Sequence, residues 1–197
     1  MSSTDSQNVA AVYIIGPSST GKTTLCNALA ARLGLSEAVH ITEVARTVMR
    51  KRGFTRDDVG RLEMQRAIMD AQIEQDMRAR RAANDPGGRG IVLSDRSAVD
   101  AVVYAALDGA DSDSRTLISS PNFQAVLPLY RRSLFVLLHP ISEWMVDDGV
   151  RSLEDGQKCS RIFRNLLAEL GIQYLELGES CRWIEERVTV VRRYVAY

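Results

Sequence analysis

Gly16-Pro17-Ser18-Ser19-Thr20-Gly21-Lys22-Thr23 is the stretch on which the reading of this chain turns. It fits the pattern G-x-x-x-x-G-K-[ST] at every fixed position, the pattern of loops that hold phosphate groups. Its flanks supply the required context. Val9 to Ile15 reads VAAVYII, a short apolar run rich in β-branched and aromatic residues, which predicts a buried strand. Thr24 to Leu33 reads TLCNALAARL, a helix with Leu25, Ala28, Leu29 and Leu33 on one stripe. A loop entering a helix presents unpaired backbone N–H groups, and the helix dipole adds partial positive charge there. Gly16 and Gly21 let the backbone curl around a phosphate without a Cβ in the way. Gly16, Ser18, Ser19, Thr20, Gly21, Lys22, Thr23 and Thr24 are therefore the candidate nucleotide contacts. Lys22 would reach the β- and γ-phosphates, and the Thr23 hydroxyl would sit on Mg²⁺. The competing reading is an ordinary glycine-containing turn, and the strand and helix in register weigh against it.

Outward from the loop, the chain of 197 residues is long enough for one α/β domain with a substantial core. Its 45% apolar content is that of a globular protein. Lys plus Arg and Asp plus Glu number 25 each, so the net charge is zero and a general nucleic-acid binder is disfavoured. No apolar run approaches a membrane span, and Met1 to Asn8 lacks the pattern of a secretory signal. Cys26, Cys159 and Cys181 are odd in number and far apart, suggesting neither disulfides nor zinc. Cys26 reads as a small core residue, and His40 and His139 as structural. A cytoplasmic protein is expected, with no membrane or nucleic-acid partner, as a monomer or homodimer.

Residues 1–8 read as a disordered start and 9–197 as one domain. Val39 to Thr42 predicts a second strand, running into a helix from Glu43 to about Arg52 that Gly53 ends. Asp57 to Ala83 reads as one long helix on Leu62, Met69, Ile73 and Met77, with Arg61, Asp70, Glu74, Arg78 and Arg81 largely toward water. Asn84-Asp85-Pro86-Gly87-Gly88 breaks it. Ile91 to Ser94 is a third strand ending in Asp95-Arg96-Ser97, and Ala98 to about Leu107 a helix. Gly109 to Ser114 reads as a polar loop, Asn122 to Arg132 as helix, Leu134 to Leu138 as a fourth strand and Ser160 to Leu170 as helix. Ile172 to Leu177 is a fifth strand, and Cys181 to Val195 closes the chain as a helix on Ile184, Val188, Val191 and Val195. The alternation predicts an α/β fold of three α/β/α layers around a five-stranded, mainly parallel sheet, with a lid at about 141–160.

Asp95 closes an apolar strand, and the carboxyl end of a parallel strand faces the ligand crevice. An acid there can hold Mg²⁺ or take a proton from an acceptor hydroxyl, and Arg96 beside it can brace a phosphoryl group. A surface pair capping the next helix is the plainer alternative. Glu43 and Arg46 occupy the end of the second strand and the first turn of its helix. They suit sugar hydroxyls, a catalytic base or an anionic group, or equally helix-end charge complementation and a surface arginine. Arg151 follows Asp147-Asp148-Gly149-Val150; an arginine in such a segment can close over phosphates and supply transition-state charge. Arg161 is a weaker case, Arg164 reads as a solvated helix face, and Trp144 as packing.

At this point a resemblance is visible. GPSSTGKTTL (16–25), EVAR (43–46), LSDRSAVDAVVYA (93–105) and W-x-x-DDGVR (144–151) resemble the small P-loop NTPase domains related to bacterial nicotinamide-riboside kinase, and a family of AAA-labelled domains frequent in fungi. The DRS element is similar to that of deoxynucleoside kinases. The resemblance implies ATP and Mg²⁺ as cofactors and a nucleoside-like hydroxyl as acceptor. It departs in length: nicotinamide-riboside kinases usually travel with an adenylyltransferase domain, for which this chain has no room. The sequence therefore reads as an ATP-dependent small-molecule kinase in which Lys22, Asp95, Arg96, Arg151 and Glu43 carry catalysis. Glu43, Arg46, Asp95 and Arg96 bind substrate, and Thr23 and Asp95 bind metal. The alternative is an ATPase or switch module acting through a protein partner. A guanine-reading GTPase is disfavoured by the lack of an N-K-x-D element after a late strand, and a mechanical AAA+ ATPase by length.

Overall fold

The computed structural model describes residues 10–141, 143 and 153–195. Five strands form one sheet: β1 (Ala10–Ile15), β2 (His40–Ile41), β3 (Ile91–Asp95), β4 (Leu134–Leu138) and β5 (Tyr174–Leu177). Every pairing is parallel, in the order β2-β3-β1-β4-β5. Among the described residues eight helices surround it: α1 (Lys22–Leu33), α2 (Val44–Arg52), α3 (Leu62–Asn84), α4 (Ala98–Asp108), α5 (Asp111–Ile118), α6 (Pro121–Tyr130), α7 (Leu153–Leu170) and α8 (Ile184–Val195). This is the expected three-layer α/β/α fold.

Strand side chains alternate between faces, and that alternation makes two cores. Tyr13, Ile15, Val92, Phe135 and Leu137 pack on one face beneath α2 to α7. Val12, Ile14, Leu93, Val136 and Leu138 pack on the other beneath α1 and α8. Strands buried on both faces read as the continuous apolar runs of the sequence.

Three boundaries differ from the expectation by more than three residues. The supposed polar loop from Gly109 to Ser114 largely belongs to α5. Its Ser and Asp residues favour turns locally, but Leu117 is fully buried, and tertiary packing overrides that preference. The helix expected from Ser160 begins at Leu153, and Gly156 lies within it, its carbonyl accepting from the Ser160 hydroxyl at 3.0 Å. The long helix begins at Leu62 rather than Asp57, because Arg56–Asp58 forms a 3-10 turn closed by Thr55 N–H donating to the Asp58 carboxylate at 2.8 Å. The charged face of α3 divides. Arg61, Glu74 and Arg78 are exposed, but Asp76 and Arg80 are buried, and Arg80 Nη2 donates to the Tyr13 hydroxyl at 2.8 Å and to Ser133 Oγ at 3.2 Å. Among the described residues no helix is long and apolar enough to cross a membrane.

Candidate functional site

The loop between β1 and α1 is built around backbone that needs glycine. Gly16 has φ 136°, and a Cβ there would lie 2.4 Å from the Leu138 carbonyl oxygen of the neighbouring strand. Gly21 caps α1 at φ 84°. Within the curl, Thr20 Oγ1 donates to the Pro17 carbonyl at 3.0 Å, and Lys22 Nζ donates to the same carbonyl. Lys22 is 5% exposed. Burial, then the positive charge of Arg96, pushes its pKa down to about 7, with Asp100 and Asp95 pulling the other way.

Asp95 stands where its strand-end position implied. The register of β1 against β3 sets Ile14 opposite Asp95, beside the start of the loop. The Thr23 hydroxyl donates to Asp95 Oδ2 at 2.5 Å. Asp95 Oδ1 is buried and has no hydrogen-bond partner among the described residues. The turn after β3 is clamped. Arg96 has φ 78°, its N–H donates to the Ile14 carbonyl at 2.9 Å, and its carbonyl accepts from Ser94 Oγ at 2.7 Å and Gln72 Nε2 at 3.3 Å. A non-glycine residue held at positive φ by three hydrogen bonds is strained backbone over-determined by its surroundings, a feature that clusters at functional sites.

That turn aims the Arg96 guanidinium along the first turns of α4. It pairs with Asp100 at 3.3 Å and lies 5.6 Å from the centre of the Tyr104 ring. Burial opposes its charge, but Tyr104, Asp100 and Asp95 outweigh that and hold its pKa above the ordinary arginine value. Asp100 is buried and accepts from the Ser97 N–H at 2.9 Å, capping α4; burial holds its pKa above the ordinary carboxylate value although Arg96 and Lys22 lower it. The Tyr104 hydroxyl returns to the loop, 3.1 Å from Ser18 Oγ. Asp100, Tyr104 and Gln72 had no assigned role in the sequence reading. The S-x-x-D spacing of Ser97 and Asp100 was an available signal of the cap.

The remaining expectations fare unevenly. Glu43 and Arg46 lie just past β2, at the same edge of the sheet, and pair with each other at 2.9 Å with exposed side chains. Among the described residues no hydrogen bond or ion pair joins them to Lys22, Thr23 or Asp95. Arg164 pairs with Glu176 at 3.0 Å, and His139 Nε2 lies 2.8 Å from the same carboxylate, which accounts for both as surface network. Arg161 is exposed. Trp144, Asp147, Asp148 and Arg151, with half of the expected lid, lie outside the described residues. A cavity of about 770 Å³ between β2, α2 and α3 is lined by His40, Thr42, Lys51 and Glu74, and includes neither loop residues nor Asp95.

The donor set fits a nucleotide with Mg²⁺. A hydroxyl and a carboxylate with one buried oxygen unclaimed are hard oxygen ligands beside the glycine-built loop. Mg²⁺ is ordinarily held by one or two such groups plus phosphate oxygens rather than by a dedicated cage.

The model of the family described as "AAA domain" matches residues 11–187. Among solved structures, NadR protein in complex with NR superposes with TM-score 0.73 at 25% identity, over 98% of this chain and 53% of that one. NadR protein in complex with NAD and AMP-PNP gives TM-score 0.73 at 23% identity, over 98% and 51%. The chain thus spans about half the length of these NadR chains. Deoxyadenosine kinase from M. mycoides with bound dATP shares the fold, with TM-score 0.59 at 12% identity over 95% of this chain and 100% of that one. Comparison with curated proteins finds no match.

Proposed function

The chain belongs to the AAA domain family, and from that premise we propose that it is an ATP-dependent small-molecule kinase. It moves the γ-phosphoryl group of MgATP to a hydroxyl of a nucleoside-like or related metabolite. One observation carries this reading: the Thr23 hydroxyl bonded to Asp95 beside the buried Lys22, with the second Asp95 oxygen unclaimed. The fold shared with NadR bound to NR and with deoxyadenosine kinase supports a small-molecule acceptor.

Position supports the roles of the described residues. Backbone N–H groups from Gly16 to Thr24 cradle the phosphates, as the start of a helix does for anions. Lys22 swings from the Pro17 carbonyl to the β- and γ-phosphates. Thr23 and Asp95 would hold Mg²⁺, which would supply neutralisation of phosphate charge. At the carboxyl end of β3, where open parallel sheets bind their ligands, Asp95 can also orient an acceptor hydroxyl and take its proton. Arg96, fixed by Asp100 and Tyr104, braces the phosphoryl group or an anionic part of the acceptor. Glu43 and Arg46, one strand away, bind the acceptor at the rim, and Arg151 contributes charge from the segment after β4. The test is a panel of nucleosides and ribosyl metabolites incubated with MgATP. ADP should form in step with a phosphorylated product and depend on an acceptor. ATP consumption at one rate whatever the acceptor would overturn the kinase reading.

A further inference from the structure

In α8 a charge sits where an apolar residue is due. Ile184, Val188 and Val191 form the stripe that packs on Leu25, Cys26 and Leu29 of α1. Arg187 falls in phase with that stripe and is 1% exposed, among the largest fully buried side chains of the protein. Arginine is almost never fully buried unless its donors are claimed. Here Nε donates to the Cys181 carbonyl at 2.8 Å, and Nη1 donates to the carbonyl of Thr20, inside the phosphate loop, at 3.0 Å.

From this geometry we infer that Arg187 is a positioning residue for the phosphate loop. The inference rests on the nucleotide reading of that loop. A trans peptide is planar, and its C=O and the following N–H point in opposite directions. Arg187 approaches from α8, on the face of the sheet that α1 and α8 cover, and draws the Thr20 carbonyl toward itself. The same peptide plane then turns the Gly21 N–H away from α8, to the concave side of the loop. Gly21 accepts this at φ 84°, which costs glycine little. The Thr20 side chain cannot turn the plane back, because its hydroxyl is bonded to the Pro17 carbonyl at 3.0 Å. α8 is in turn seated on α1 by Val188 and Val191, and by the Arg32–Glu185 pair at 2.7 Å. One fork of donors therefore ties the loop after β1 to the turn after β5, and holds one cradle N–H ready before any phosphate arrives. Lysine cannot do this, since one ammonium on a flexible stem lacks the planar fork that serves two carbonyls.

The experiment compares wild type, Arg187→Lys, Arg187→Gly and Lys22→Ala, measuring MgATP affinity by titration calorimetry and nucleotide-free Tm by scanning calorimetry. Arg187→Lys should stay folded and bind MgATP about tenfold or more weakly, the scale of a lost charge-assisted hydrogen bond. Arg187→Gly should regain affinity when guanidinium is added at non-denaturing concentration; a purely structural defect would not respond that way. Folded Arg187→Lys with affinity within about twofold of wild type overturns the inference. If Lys22→Ala also keeps its affinity, the nucleotide reading itself fails; if Lys22→Ala loses it, only the role of Arg187 fails. Should neither Arg187 variant fold, wild type decides: the Arg187 side-chain N–H resonance should shift on adding MgATP, and an unmoved resonance overturns the proposal.

Discussion

Lys22 carries its amine into the interior of the loop, beside the Pro17 carbonyl and beneath the field of Arg96. Burial, with Arg96 second, lowers its pKa from 10.5 to about 7. That depression corresponds to roughly 5 kcal/mol of penalty on the charged amine. The unfolded chain keeps this proton up to about 10.5. Between about 7 and 10.5 the unfolded state therefore binds more protons, and the penalty is lifted as pH rises through that window; below it both states are charged and the penalty stands in full. Binding runs the other way. Polyphosphate beside the amine favours its charged form, so MgATP binding above neutrality must take up a proton. Apparent affinity should fall with rising pH by up to about tenfold per unit above 7, until the pKa of the complex is passed. Calorimetric titrations at about pH 8.5, in buffers of different ionisation enthalpy, should show uptake approaching one proton, and Lys22→Met should abolish it. Affinity unchanged from about pH 6.5 to 9, with no proton exchanged, would mean that Lys22 is charged throughout, and would refute the argument from burial.

Two further outcomes follow from the same site. Asp95→Asn should keep binding MgATP, since Lys22 and the loop amides remain, but lose turnover by about 10²-fold or more. Partial recovery at high Mg²⁺ assigns Asp95 to the metal, no recovery assigns it to the acceptor proton, and near-normal turnover removes it from the mechanism and shifts the base to Glu43. Gly16→Ala sets a Cβ 2.4 Å from the Leu138 carbonyl at φ 136°; overpacking and strain together should cost about 3 kcal/mol, a fall in Tm of about 10 °C. A Tm within about 2 °C of wild type would show that the loop relaxes freely.

The order of elements was legible because parallel strands buried on both faces leave continuous apolar runs, and the loop because its glycines and lysine stand in sequence. The position of Asp95 was legible because a strand end is a spatial address that sequence supplies. The polar supports were harder to see, since they lie on helices whose buried face must be known first. Phase with the apolar stripe is the signal that separates them. Gln72, Asp76 and Arg80 step by helical turns from Met69 to Ala83, all buried. Arg187 steps likewise from Ile184 to Val191, and it too is buried. Glu43 and Arg46 fall out of phase with Val44 and Val48 of α2; those valines are buried, while Glu43 and Arg46 are exposed. A charged residue in phase with an apolar stripe must find partners inside the protein, because leaving it unpaired there costs more than the fold can spare. For Arg187 those partners include a carbonyl of the phosphate loop, so a residue that reads as one more charge in RWIEERV is tied to that loop near the opposite end of the chain.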